Sequence, residues 1–385
     1  MMLPRLLYVG DVPVESSYHG SALLHRLLSD YPPEQLTIIE TASPSQTSRR
    51  LQQVNYLSHP IGKQRWLNTR FHPYATAWFT REGKRLAPKI AQSLNGFGFE
   101  SVLTVAHGFG WLAAADIADK RNVPLHLIVH DDWPRVADVA PAFRDWLDQR
   151  FARVYRQAQS RMCVSPAMSR SYSERYGKPA HTIYPSRAAG CHEYDEPPAR
   201  LATNDHAFTV AFAGTINSNG YIRALIALQD ALKPCGGRLL IFGPLTATEA
   251  QQVGLNDAEV RGLLSSSELL NALREEADAL FVPMSFDTAD RVNMEMAFPS
   301  KLADYTAVGL PLLVYGPDYC SAVIWSRENE AAAIAESESE LRDAIVLLAN
   351  HPDARITLGK RALATGHAYF SHDRAQEQFY NALST

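Results

Sequence analysis

The sequence predicts an α/β protein of two parallel-sheet domains, on three observations. Short buried-strand runs alternate with amphipathic helical stretches along the chain, without internal repeats or low-complexity tracts. The 385 residues exceed what one ordinary hydrophobic core organises. Charge is also split. Residues 1–190 hold 23 Lys and Arg against 15 Asp and Glu, and residues 191–385 hold 14 against 26. Halves of opposite sign suit two separately packed bodies, the basic one facing an anionic partner.

Composition narrows the class. A hydrophobic content of 46% with 20% charged residues is that of a globular protein. Cys163, Cys191, Cys235 and Cys320 are far apart and form no CxxC, which suits a reducing compartment and core packing. The N-terminus lacks the apolar run of a signal peptide, and no stretch approaches 18 apolar residues. The expected location is cytoplasmic, with peripheral contact to the inner membrane face as an option.

In the first half, Leu6-Leu7-Tyr8-Val9 reads as a buried strand, Gly10-Asp11-Val12-Pro13 leaves it, and a helix follows His19-Gly20-Ser21. Strand, Gly-bearing loop and helix open a nucleotide-binding α/β domain, although GxGxxG is absent. Gly20 otherwise only relieves crowding at a helix start. Leu36–Ile39 is the second strand, and residues 43–73 read as irregular. Over 74–95 a helix is expected, with Phe79, Leu86, Ile90 and Leu94 on one face. Tyr74, Arg81, Lys84 and Arg85 share roughly the opposite face, with Trp78 at its edge. Between 46 and 90, nine basic residues (Arg49, Arg50, Lys63, Arg65 and Arg70 among them) face only Glu82, mixed with Trp66 and Phe71. That mixture suits an anionic membrane surface or a phosphate-bearing lipid. The alternative is a solvated face with the aromatics tucked in. Nucleic acid is not expected, because the acidic second half repels it.

Strands at 101–106 and 125–129 end at His107 and at His130-Asp131-Asp132. Ligands of open α/β sheets bind beyond such strand ends. An imidazole there can donate to a sugar hydroxyl, and the carboxylates can orient or deprotonate an acceptor. The alternative is a hydrogen-bonded strand-end histidine beside solvated aspartates. Spacing places no third ligand, so no zinc site is expected. Helices over 142–158 and 166–177 and strands at 161–164 and 181–184 complete this half. The expected domains are 1–188, an interdomain connection at 189–206, and 207–370. Residues 371–385 form a last helix able to pack back on the first domain.

The second half alternates strands at 208–215, 238–242, 259–264, 278–283 and 312–315 with helices, ending in helices at 338–349, 352–366 and 372–384. Within it, Phe298–Pro311 reads as a helix with marked ends. Pro299 fits the first turn and Ser300 can cap it. Gly309 fits the left-handed position after the last turn, and Pro311 stops continuation. Ser300, Lys301 and free N–H groups at the positive end suit a phosphate, and Asp304 one turn on can accept from a ribose diol. The plain alternative is a capped helix with a solvated Lys-Asp pair.

Pro299-Ser300-Lys301-Leu302, then Asp304-Tyr305, then Ala307-Val308-Gly309-Leu310-Pro311 resembles the donor-binding signature of GT-B glycosyltransferases of the family 4 type. Phe212-Ala213-Gly214-Thr215, Leu240-Ile241-Phe242-Gly243, Val260-Arg261-Gly262 and Val129-His130-Asp131 follow the family's landmarks in order. The resemblance implies two Rossmann-like domains facing a central cleft and closing over a nucleotide sugar. It implies transfer, with retained anomeric configuration, to a saccharide or lipid-linked saccharide in cell-surface glycan synthesis. No cofactor or metal is implied; the donor is a substrate. Amides of Ser300, Lys301 and Leu302 would hold the distal phosphate, with Thr215 in the first strand-loop beside them. Asp304 would take the ribose, and Gly262, Leu263 and Leu264 the base. His130 would contact the donor sugar near the reacting carbon, with Asp131 beside it, and Gly20 would let its loop approach the phosphates.

Two departures stand out. The family's sugar-binding Glu lies eight residues before the ribose carboxylate, where this chain has Met296. Glu295 is assigned in its place, with Asp287 and Asp290 nearby. The usual Arg and Lys after the first donor-domain strand are absent from Gly214–Gly220, so Arg223 or Lys301 is left to supply the cation. These departures keep two alternatives open: a non-catalytic glycosyltransferase-like partner subunit, and a GT-B-shaped nucleotide-sugar epimerase.

Overall fold

Apolar runs bounded by Gly, Pro or Asp become buried strands, and the longer amphipathic stretches become the helices that cross between them. The computed structural model describes residues 3–16, 19–42, 44–62, 66, 69, 71–94, 96–137, 139–216 and 218–384. Lys63, Arg65, Arg70 and Asn217 lie outside the described residues, as does the side chain of Lys84. The chain divides into two compact units, residues 1–185 with 372–385, and residues 186–371.

In the first unit the strands are β1 (Leu6–Gly10), β2 (Leu36–Glu40), β3 (Asn55–Ser58), β4 (Ser101–Val105), β5 (Leu125–Val129), β6 (Ser160–Cys163) and β7 (His181–Thr182). Among the described residues they form one parallel sheet ordered β3-β2-β1-β4-β5-β6-β7. Strand β3 corrects the reading of 43–73 as irregular. It is a half-exposed edge strand paired through Thr37 opposite Asn55, and its polar ends carry no buried-strand signal. The helix expected over 74–95 spans His72–Ser93 and buries Phe79, Leu86 and Ile90. Its aromatics are not tucked in: Tyr74 is 77% and Trp78 48% exposed, near Phe71 at 53% and Trp66 at 47%. Arg50 leaves the basic set, because its guanidinium pairs with buried Glu40 at 3.1 Å. The last helix, His372–Ser384, belongs to this unit through His372 to Asp30 at 2.7 Å and Gln376 Nε2 donating to Arg26 O at 2.7 Å.

In the second unit β8 (Thr209–Ala213), β9 (Arg238–Phe242), β10 (Ala258–Gly262), β11 (Ala279–Pro283), β12 (Leu312–Tyr315) and β13 (Ala333–Ala335) form a parallel sheet. Its order is β10-β9-β8-β11-β12-β13. The three-residue β13 and the helix Ser321–Glu328 are too short to carry a period that marks them in the sequence. Residues 189–206, expected as a connection, lie in this unit and are tied into it. Arg355, almost wholly buried, donates to Leu201 O at 3.1 and 3.0 Å, and Arg200 pairs with buried Asp278 at 3.1 Å. Among the described residues no helix is long and apolar enough to cross a membrane.

Candidate functional site

In the first sheet the strand order reverses between β1 and β4, so the carboxyl ends of β1, β4 and β5 lie side by side where such sheets bind ligands. Val105 of β4 sits opposite Ile128 of β5, and two residues further each strand delivers a histidine. The His107 and His130 rings are 5.7 Å apart, centroid to centroid. Asp131 lies between them, with Oδ2 3.3 Å from His130 Nε2 and 3.7 Å from His107 Nδ1. The three polar atoms fall within 4.8 Å of one another. Burial works to raise the Asp131 carboxyl, but the approach of the two imidazoles outweighs it and holds the group well below the usual carboxylate range. The same carboxylate holds His107 above its ordinary value against the opposing effect of burial. Asp132 is turned elsewhere: it is buried and pairs with Arg175 at 2.8 Å, so it braces the fold.

Gly20 packs directly against the His130 ring. A Cβ at Gly20 would come within 2.6 Å of His130 Nδ1. Asp11, which sequence reasoning passed over, accepts from Phe109 N at 2.8 Å and from Gly110 N, pinning the turn after His107. A Cβ at Gly108, held at φ +53°, would meet the Asp11 carboxylate at 2.5 Å, so the glycine is what admits that contact.

In the second sheet the reversal falls between β8 and β11. Beyond β8, Gly214 adopts φ +137°, and the helix Asn219–Leu232 begins with Ser218 Oγ accepting from Tyr221 N. Tyr305 fixes this strand end, since its hydroxyl accepts from Ala213 N at 2.6 Å. The Lys301 ammonium lies 4.1 Å from the Phe212 ring centroid, and a Cβ at Gly214 would be 3.7 Å from its Nζ. Among the described residues it has no carboxylate partner. Burial pushes the amine down to about 7. Arg223, the other candidate cation, pairs with Asp287.

The helix read over 299–309 is shorter, spanning Lys301–Tyr305 before turns. Ser300 makes no side-chain cap, because it already has helical φ and ψ. Leu302 N–H donates to Pro299 O at 3.1 Å, so of the three amides assigned to phosphate this one is engaged. Asp304 lies half-buried on the helix. Gly309 is left-handed at φ +74°, with a Cβ there facing Glu196 O at 3.2 Å. Gly262 ends β10 at φ +74°, and Leu263 and Leu264 after it are exposed apolar side chains. Thr215 is half-buried in the loop after β8. Glu295 sits on the helix Arg291–Met296 and accepts from Arg291 Nε at 2.8 Å.

Residues 34–186 match the family described as Glycosyltransferase Family 4. No curated protein matches the sequence. Among solved structures, Anabaena HepE in complex with UDP and glucose is similar at 13% identity and TM-score 0.70, over 99% of this chain and 100% of that one. The trehalose 6-phosphate synthase of Burkholderia multivorans is similar at 13% identity and TM-score 0.65, over 100% and 97%. The sucrose-phosphate synthase of Thermosynechococcus elongatus is similar at 15% identity and TM-score 0.64, over 98% and 97%. At these identities the likeness speaks for the fold. With the family match over residues 34–186, it gives this chain the GT-B fold of two Rossmann-like parallel-sheet domains, with a first half similar to Glycosyltransferase Family 4.

Proposed function

We propose that the protein transfers a hexose from a nucleotide-sugar donor to a saccharide or lipid-linked acceptor, retaining configuration and using no metal at the diphosphate. The observation that carries this reading is Lys301: a desolvated amine seated on Phe212 beside the Gly214 turn, with no carboxylate partner among the described residues. A cation held that way suits the charge that accumulates on a leaving diphosphate. The amides of Ser300 and Lys301 and the loop at Thr215 join it. Asp304 takes the ribose, and the exposed pair Leu263 and Leu264 after Gly262 takes the base. HepE, similar in fold, has been solved with UDP and with UDP-glucose, which favours a uridine donor. His130 and Asp131 contact the sugar in this reading, and Glu295 does so once it leaves Arg291. The exposed Trp66, Phe71, Tyr74 and Trp78, with Arg81, Arg85 and Lys89, suit a lipid-linked acceptor at a cytoplasmic membrane face.

Calorimetric titration with UDP-, GDP- and dTDP-sugars tests it. One of them is expected to bind, and Asp304→Ala is expected to weaken that binding by about 10- to 100-fold through loss of charge-assisted ribose bonds. If no nucleotide sugar binds, the reading fails. If one binds unchanged to Asp304→Ala, the ribose assignment fails. Gly20→Ala is expected to lower turnover by up to about 100-fold by displacing the His130 ring, with folding stability almost unchanged. A shifted His130 ring resonance at full turnover would remove His130 from the chemistry.

A further inference from the structure

We propose that His107 is a positioning residue for the transfer: it carries the positive charge that answers Asp131 and so leaves the His130 imidazole neutral and able to bond a sugar hydroxyl. The inference rests on the reading that His130 and Asp131 contact the donor sugar. The geometry carries it. Asp131 Oδ2 stands 3.7 Å from His107 Nδ1 and 3.3 Å from His130 Nε2, and the two rings are 5.7 Å apart. The rings compete for one carboxylate, and two imidazolium ions that close repel each other, so one ring holds the charge.

The surroundings of the two rings decide which. A charged imidazole carries a hydrogen on both nitrogens. His130 Nδ1 is buried without a hydrogen-bond partner, against Gly20. A proton there would leave a cationic donor buried and unpaired, which a neutral ring avoids. His107 escapes that cost. Its buried Nδ1 lies at ion-pair distance from Asp131, while nearly half of the side chain is exposed, so the second proton meets water. The Asp11 carboxylate, pinned by the Phe109 and Gly110 amides, adds to the pull. Among the described residues the titratable groups acting on His107 are thus Asp11 after β1 and His130 and Asp131 after β5. Asp131 first, and then Asp11, hold His107 above its ordinary value against burial. The Asp131 side chain stays partly exposed, so a hydroxyl still reaches it. A charged His130 would keep its Nε2 hydrogen in the ion pair, whereas a neutral ring can turn that hydrogen to the sugar.

All four groups belong to the first unit, so the charge partition is tested without nucleotide. The full-length protein carrying 15N-labelled histidine is followed by NMR across about pH 5–9, where imidazoles titrate. The expected result is that His107 takes up a proton first as the pH falls, while His130 stays neutral with its hydrogen on Nε2. In His107→Asn and His107→Gln, with melting curves confirming the fold, His130 is expected to protonate about one pH unit higher, because a positive charge 5.7 Å away is gone. Turnover of the nucleotide sugar that binds is expected to fall about tenfold near neutral pH, one pH unit being tenfold in the neutral fraction. The donor KM should change little, and the rate should recover as rising pH strips the proton from His130, which a packing defect would not do. Should neither variant fold, the wild-type spectra alone decide the partition. Protonation of His130 before His107, an unmoved His130 titration in the folded variants, or full turnover with His130 charged would overturn the proposal. Should no nucleotide sugar bind, the donor reading fails and the transfer role with it, while the ring spectra still decide which histidine holds the charge.

Discussion

Lys301→Met is expected to weaken nucleotide-sugar binding by about 30- to 100-fold and, at the same time, to raise the melting temperature. The first effect is loss of a charge-assisted contact to the diphosphate, worth about 2–3 kcal/mol. The second follows from burial. Desolvation lowers the Lys301 amine to about 7, whereas in an unfolded chain a lysine titrates near ~10.4. Between those values the unfolded chain holds a proton that the native amine has released, so stability rises with pH across that window. Below pH 7 the native amine is charged and the cost of burying it is fully present. Methionine fills similar space over Phe212 without that cost. Wild-type melting should therefore climb from pH 7 to pH 9, while the variant starts higher and stays flat. Binding gives the mirror image. A diphosphate favours the ammonium, so donor binding to the wild type takes up a proton above pH 7, and affinity falls by up to about tenfold per pH unit. Calorimetry in buffers of different ionisation enthalpy measures that uptake. Buffer-independent binding at pH 8, together with an unchanged melt in the variant, would separate Lys301 from the phosphate.

Arg187→Met is expected to destabilise the second unit by about 3–5 kcal/mol, lowering its calorimetric transition by roughly 10 °C. Arg187 is wholly buried, and Nε donates to Ala303 O at 3.0 Å and Nη2 to Thr306 Oγ1 at 3.1 Å. Its Nη1 pairs with Glu193 at 2.7 Å, and Glu193 also pairs with His367 at 2.7 Å. Gly366 stands where any Cβ would run into the guanidinium. The two acceptors flank Asp304, so the residue proposed to take ribose is held from below by this network. Methionine removes the donor to Thr306 Oγ1, leaves Ala303 O with only the Thr306 hydroxyl at 3.1 Å and takes the buried cation from Glu193, and Arg187→Lys recovers little because an ammonium cannot span the fork. Nucleotide affinity should fall with stability in both variants. A transition moved by less than a degree or two would mean that the network is dispensable.

Most of the strands and the left-handed stop at Gly309 were legible, because apolar runs, periodicity and the positive-φ preference of glycine are local properties of the chain. Where a signal depended on length it faded, as with β13 and the edge strand β3. Ser300 shows the limit of local chemistry. Its type is right for a cap, but its φ and ψ make it part of the turn. The motif around Lys301 could likewise be recognised from its order of residues. That Arg223 is neutralised by Asp287 while Lys301 stands on an aromatic ring could not, because both facts rest on partners distant in sequence.

The sequence by itself determined the α/β class, the strand ends that carry His107 and His130, and the segment proposed to grip the nucleotide. Only the tertiary structure decided that β4 pairs with β5 in the register that sets both histidines against Asp131, that Gly20 packs against the His130 ring, and that Arg187 braces the Asp304 helix. Periodicity is written residue by residue. Register, burial and the pairing of charges depend on which distant segments meet, and those contacts exist only once both sheets have formed.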